Sequence, residues 1–190
     1  MKPLLLLFTI ILPLLAIAGP SEIILTDNMI GKMKIEKGLK VSLHSISNNF
    51  SRYFVRQEIK EGEEGSFHSF TVSTFRGKKL IEFISKIEKE EDFEKAKVEL
   101  DEIIVYGENI KDQYGVHPGM MLRDVAKKRS GMDFGHGHMD DYHLGSEKIW
   151  YVFRIVFRNV KQPDGFKAKE FALKSETKVD IITWPNPLWR

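Results

Sequence analysis

The chain has 190 residues, of which 42% are hydrophobic and 29% charged, and its 29 basic residues nearly balance its 27 acidic ones. The basic residues are scattered along the chain, which excludes the concentrated positive face that nucleic-acid binding needs. The chain has no cysteine, so disulfides, thiol nucleophiles, thiolate metal sites and a lipid-bearing N-terminal cysteine are all excluded. Its apolar content suffices for one buried core, and we expect a folded protein.

The first 18 residues have the pattern of a secretory signal peptide. Met1-Lys2 is followed by an apolar run from Pro3 to Ala18, which ends in the small-x-small sequence Ala16-Ile17-Ala18. The run is shorter than the roughly 20 apolar residues of a spanning helix. We therefore predict cleavage after Ala18 and a single α+β domain over 19–190, periplasmic or secreted, without a transmembrane anchor. A retained N-terminal membrane anchor is the alternative.

Alternation of apolar and polar residues predicts β-strands, because successive side chains of a strand point to opposite faces of the sheet. The predicted strands are Tyr53 to Ile59, Phe67 to Phe75, Leu80 to Ile87, Leu100 to Tyr106, Ile149 to Phe157 and Lys178 to Trp184. A hairpin turn at Arg76 to Lys79 should make the second and third of them antiparallel neighbours. The strand from Ile149 has the strongest pattern and is expected in the middle of the sheet.

Two short helices are predicted. Ser42 to Phe50 has a serine N-cap and apolar residues at helical spacing, although a strand through Leu39 and Leu43 would also fit. Gly119 to Arg129 places apolar residues on one face and three basic residues in its last turn. Glu88 to Glu99, rich in Glu and Lys, is interpreted as a solvated surface segment, either a short helix or an insertion loop, with an interaction tail as the alternative. The predicted fold is therefore mainly antiparallel β-sheet with two short helices.

Three of the six histidines, His136, His138 and His143, lie within eight residues. In an extended segment His136 and His138 point the same way, and a turn through Asp140 and Asp141 could bring His143 back. Imidazole and carboxylate ligands suit Cu or Zn, so we predict a metal site of His136, His138, His143 and Asp140. The alternative is an ordinary polar loop, since Gly, His and Asp are common loop residues.

No pattern of catalytic residues is present. The chain has no Gly-x-Ser-x-Gly or Ser-x-x-Lys sequence, and the histidines lack the glutamate of a His-Glu-x-x-His motif. The glycines of Tyr114 to Gly119 are explained by a tight turn that leads into a helix. We therefore predict no catalytic residue and no cofactor-binding residue, and an enzyme is not indicated.

The C-terminal half combines a set of short features: Leu100 to Tyr106, Tyr114-Gly115-Val116, Gly119, the helix from Leu122 to Val125, Lys178 to Trp184 and Trp189-Arg190. With these features it resembles small Gram-negative envelope proteins of unknown function, typified by lipoproteins regulated by the envelope-stress sigma factor. The resemblance implies an α+β domain facing the periplasm and supplies no catalytic residues. This chain lacks the lipidated cysteine of those lipoproteins, which leaves membrane tethering in doubt.

The sequence favours an exported, soluble, non-enzymatic binding or support protein of the cell envelope, with unknown partners. Metal binding by the histidine loop is the alternative function. A third class, an enzyme acting on an envelope polymer, would require a cleft with convergent titratable groups.

Overall fold

The computed structural model describes residues 22–62, 65–137, 141–155 and 165–185. Within these ranges the α-helices are α1 (Leu43–Asn49), α2 (Leu122–Lys128) and α3 (Gly165–Lys174). The strands are β1 (Ile24–Leu25), β2 (Met29–Ile30), β3 (Met33–Lys34), β4 (Lys40–Val41), β5 (Phe54–Gly62), β6 (Gly65–Ser73), β7 (Lys79–Lys86), β8 (Val98–Glu99), β9 (Glu102–Val105), β10 (Lys111–Asp112), β11 (Asp133–His136), β12 (Asp141–Ser146), β13 (Ile149–Arg154) and β14 (Ile181–Trp184).

Eight of the strands form the main sheet, in the order β11-β12-β13-β14-β9-β7-β6-β5. Every neighbouring pair in it is antiparallel. Two three-stranded meanders, β5-β6-β7 and β11-β12-β13, form its two ends, and β14 and β9 lie between them. Neighbouring strands at the two ends of the sheet are therefore consecutive in the chain, whereas the central pairs β14-β9 and β9-β7 join strands that are distant in sequence or separated by another strand.

One face of the main sheet, here called the first face, carries the core. Ile149, Tyr151 and Phe153 of β13 alternate onto this face and are fully buried. The helices contribute to the same core with Ile46, Leu122, Val125, Ala168 and Ala172. Because the apolar residues of all three helices pack here, the helices lie on the first-face side of the sheet.

Two smaller sheets contribute buried residues to the core. One has the order β10-β1-β2-β3, in which β1 and β10 are parallel, and the other pairs β4 with β8. Trp184 is buried where the main sheet meets the first of these, and its indole N–H donates to the carbonyl of Asp27 at 3.0 Å. This bond joins the last described strand to the N-terminal segment.

The predicted fold class is confirmed, with one helix more than expected. The Ser42 cap is also confirmed, because the Ser42 hydroxyl accepts the N–H of Ser45 at 3.1 Å. The strand from Ile149 has partners on both sides and lies third from an edge. In these ranges no helix has the length and apolar character needed to cross a membrane.

Two elements begin three residues later than predicted. Helix α2 begins at Leu122 rather than Gly119, because Gly119 has a φ of +87° and its N–H donates to the carbonyl of Val179. Strand β14 begins at Ile181, since among the described residues Lys178 pairs only through an isolated bridge to Met121. Residues 119–121 therefore pair with the chain before β14 instead of continuing the helix.

Candidate functional site

The histidine loop is part of a β-hairpin. β11 and β12 are antiparallel, and their register pairs His136 with Tyr142 and Gly135 with His143. Paired residues share a face, and successive residues alternate between faces. His136 and His143 therefore lie on opposite faces of the sheet. His138 and Asp140 lie outside the described residues.

The two described histidines have different surroundings. The ring of His136 is exposed and meets Tyr142 edge-on, with ring centroids 4.9 Å apart. His143 is buried, and a Cβ added at Gly137 would lie 2.3 Å from its Nε2. Burial lowers the pKa of His143, the nearby His136 lowers it further, and Asp141 partly opposes both. At neutral pH His143 is therefore held in its neutral form.

Across the described ranges, no group of three or more His, Asp or Glu side chains is placed to hold a metal ion. The proposed set of His136, His138, His143 and Asp140 stays a prediction, because two of its members fall outside those ranges. The strand register places the side chains of His136 and His143 on opposite faces of the sheet.

The metal hypothesis predicts saturable binding when the purified protein is titrated with Zn²⁺ or Cu⁺. The double variant His136→Ala, His138→Ala should bind about tenfold more weakly or worse. His143→Ala should weaken binding less, since His143 lies on the opposite face from His136. The control is His44→Ala, which removes an exposed histidine of α1. Unchanged affinity in the double variant, or no binding at all, would contradict the hypothesis.

The other face of the main sheet, here called the second face, carries an unusual row of residues. The register aligns Trp150, Thr183, Ile104, Glu82 and Thr71 across five neighbouring strands. All five are buried. A carboxylate, that of Glu82, therefore lies within a buried cross-strand row, where an unpaired charge would be very costly.

Glu82 is held by four donors, which together with it form the Glu82 cluster. One carboxylate oxygen accepts from Lys60 at 2.7 Å and from the Ser69 hydroxyl at 2.5 Å. The other accepts from Lys79 at 2.5 Å and from the Tyr106 hydroxyl at 2.9 Å. The ammonium of Lys79 also lies 4.0 Å from the centre of the Tyr106 ring. Both oxygens are thus fully engaged.

The cluster shifts the acidity of its members. Burial alone raises the pKa of Glu82, but the hydrogen bonds from Lys60, Lys79 and Ser69 outweigh it and lower that pKa to about 2. Burial, and then the charge of Glu82, raise the pKa of Tyr106. Glu82 is therefore a carboxylate and Tyr106 a neutral phenol throughout the neutral range.

Tyr106 also borders a cavity of about 790 Å³ at one end of the second face. Its apolar lining includes Val152, Ile181 and Phe171. Its polar lining includes the ion pair between Arg154 and Asp141, with Nε and Oδ1 2.9 Å apart, and a carboxyl group, Asp180, whose pKa is raised by burial. The remaining lining residues are Ser175, Glu176, Thr177 and Lys178. The cavity thus offers an apolar wall beside charged groups.

A second buried polar network lies in the core beneath the first face. The guanidinium of Arg129 donates to the carbonyls of Ile149 and Ser146, to the Ser146 hydroxyl and to the Tyr151 hydroxyl. Tyr151 in turn donates to Asp112 at 2.5 Å. The other carboxylate oxygen of Asp112 accepts the N–H groups of Tyr114 and Val116. This Arg129 network connects the end of α2, the β12–β13 turn and the loop after β10.

Neither network follows from sequence patterns. Alternation in β7 places Glu82 on the face opposite Ile81 and Phe83, and that much could be deduced. Its partner Lys60 belongs to β5 and its partner Tyr106 follows β9, and only the strand register brings them to it. Arg129 belongs to a basic run that is typical of a solvated helix end, yet it is buried.

No protein-family model matches the chain, and no curated protein is significantly similar to it in sequence. Among solved structures, the crystal structure of the uncharacterized protein yfeY from Escherichia coli is similar. The TM-score is 0.57 with 18% sequence identity, over 85% of this chain and 98% of that chain. Similarity at this level of identity shows that the two chains share a fold.

Proposed function

We propose that the protein is exported and acts in the cell envelope by binding or support, without catalysing a reaction. The observation that carries the proposal is that the charged groups of the two buried networks find their hydrogen-bond partners inside the protein. Glu82 accepts from four donors, and Arg129 donates four hydrogen bonds inside the fold. Groups that are saturated in this way hold strands and loops in place, and are poorly suited to exchanging protons with a substrate.

Two further observations support the location. The first 18 residues have the composition of a cleavable export signal, and the chain contains no cysteine that an oxidising compartment would alter. The C-terminal half resembles Gram-negative envelope proteins, and the fold is shared with an uncharacterized Gram-negative protein. The regulation and lipid attachment of the lipoproteins in that family are not part of the proposal.

The proposal predicts that the full chain, expressed in a Gram-negative host, is recovered in the periplasmic fraction with Gly19 as its first residue. Mass spectrometry of the intact protein measures this directly. Ala18→Phe should accumulate as the uncleaved precursor in the membrane fraction, because the position before the cut needs a small side chain. Ile17→Phe is the matched control and should be processed normally, since the middle position of the motif is unconstrained.

Two results would overturn the proposal. Recovery of the wild-type chain in the cytosol, or with Met1 retained in the membrane, would remove export. Release of fragments from isolated peptidoglycan or phospholipid by the recovered protein, detected by mass spectrometry, would replace a binding or support role by an enzymatic one.

A further inference from the structure

We propose that the β6–β7 turn and the start of β5 form a contact site for the surface of an anionic phospholipid bilayer. The site, here called the tip patch, consists of Arg52, Phe54, Phe75, Arg76 and Lys78. The inference adds a partner to the proposed envelope function, but its test uses purified protein and does not depend on export.

The tip patch exposes two aromatic rings at one end of the main sheet. Phe75, in the β6–β7 turn, is 83% exposed, and Phe54, the first residue of β5, is 55% exposed. The register pairs Phe54 with Ser73, two residues before Phe75, so both rings lie at the same end of the β5–β6 pair. Exposed apolar side chains that are grouped in this way mark contact sites for other molecules.

The turn that carries Phe75 is fixed by its own hydrogen bonds. The N–H of Thr74 donates to the carbonyl of Lys78 and the N–H of Gly77 to the carbonyl of Thr74, each at 2.9 Å. The N–H of Lys78 also donates to the Thr74 hydroxyl at 3.1 Å. Gly77 has a φ of +81°, which glycine adopts without strain. The ring of Phe75 is thus presented on an ordered turn, so contact with a partner costs little additional ordering.

The charge around the two rings selects the partner. The segments 52–56 and 74–79 contain five basic residues and no acidic one, which are Arg52, Arg56, Arg76, Lys78 and Lys79. Arg56 and Lys79 are paired with Glu58 and Glu82. Arg52, Arg76 and Lys78 are exposed and form no ion pair with any residue in the described ranges. These free cations complement an anionic surface.

The combination of rings and cations fits a bilayer better than the other partners. Aromatic side chains are favoured at the membrane–water interface, where the ring leaves water while flanking cations meet lipid phosphates. A second copy of the chain, docked patch to patch, would bring like charges together. A polyanion such as nucleic acid would use the cations and would have no need of two exposed phenylalanines at the tip.

The test is sedimentation of the purified protein with phospholipid vesicles, its N-terminus established by mass spectrometry. Vesicles of phosphatidylethanolamine and phosphatidylglycerol should bind the wild type, and pure phosphatidylcholine vesicles should bind it much more weakly. The double variant Phe54→Thr, Phe75→Ser should lose about tenfold or more in affinity. Arg76→Gln with Lys78→Gln should lose a similar factor at low salt, and the difference should shrink at high salt.

Phe93→Ser is the matched control. Phe93 is another exposed phenylalanine, 38% accessible, but it follows the acidic run Glu90–Asp92. Its substitution should leave vesicle binding unchanged, and circular dichroism should show that all variants keep the fold.

Three outcomes would overturn the inference. Equal binding to neutral and anionic vesicles would remove the role of the cations. Loss of binding in the charge variant, with full binding in the phenylalanine variant, would indicate attraction to any polyanion. A wild-type dimer that becomes monomeric in the phenylalanine variant, without vesicle binding, would identify the tip patch as a dimer interface. Failure of export would leave the vesicle result standing, so the two proposals fail separately.

Discussion

Arg129→Ala should lower the free energy of unfolding by about 3–5 kcal/mol, a large part of the roughly 5–15 kcal/mol that stabilises a typical domain. The substitution removes four hydrogen bonds and leaves the Tyr151 hydroxyl, the Ser146 carbonyl and the Ile149 carbonyl without their donor. It also removes the positive charge beside the buried Asp112 and the stacking of the guanidinium on Tyr114 at 4.4 Å. Urea unfolding followed by tryptophan fluorescence measures the loss.

Two further variants separate the contribution of the network from that of the charge. Arg129→Lys keeps the charge but not the planar fork of donors, and should lie between Arg129→Ala and the wild type. Arg123→Ala removes an exposed arginine of α2, the helix that Arg129 caps, and should change stability by about 0.5 kcal/mol or less. An Arg129→Ala variant as stable as Arg123→Ala would show that the network contributes little.

The strands and helices that could be predicted are those in which apolar residues recur at the period of a strand or of a helix. β13 is the best case, because Ile149, Tyr151 and Phe153 all face the core and give an unbroken alternation. For the β11–β12 hairpin the sequence leaves an extended segment with a turn and an ordinary polar loop both open, since glycine, histidine and aspartate have low strand propensity. Pairing of β12 with β13, and of β11 with β12, imposes the strand conformation there, and the local signs of it are the apolar residues Phe134, Tyr142 and Leu144.

Helix α3 and the two ionic networks show a different limit. Of the described side chains of α3, Ala168 and Ala172 are buried, and two small residues four apart give a weak apolar signal. The Glu82 cluster joins β5, β6 and β7 with a residue that follows β9, so it exists only once the strand register is set. The histidines, by contrast, are close in sequence, yet the alternation of side chains along the strands places His136 and His143 on opposite faces of the sheet.

Glu82→Gln should cost about 2 kcal/mol of stability at pH 7, and the cost should fall as the solution is acidified. The pKa of Glu82 is lowered from 4.5 to about 2, so the unfolded chain binds its proton first as the pH falls. The corresponding contribution is at most about 3 kcal/mol. Lys60 and Lys79 are each about one-third exposed, and screening by solvent reduces it to about 2 kcal/mol.

The sign of the pH effect follows from the direction of the shift. A carboxyl group with a lowered folded-state pKa stabilises the protein above its unfolded pKa, and this stability is lost progressively from about pH 5 down to about pH 2. The gap between wild type and Glu82→Gln should therefore narrow by about 1 kcal/mol between pH 6 and pH 3.5.

Urea unfolding at a series of pH values measures this gap, and carboxyl groups common to both proteins cancel in the difference. Glu58→Gln is the matched control, because Glu58 pairs with Arg56 at 3.1 Å on β5, the edge strand of the same sheet. That variant should stay within about 0.5 kcal/mol of the wild type at every pH. Parallel curves for wild type and Glu82→Gln would show that the Glu82 carboxylate is not preferentially stabilised in the fold. Converging curves would show that the carboxylate on the second face stabilises the sheet through its charge.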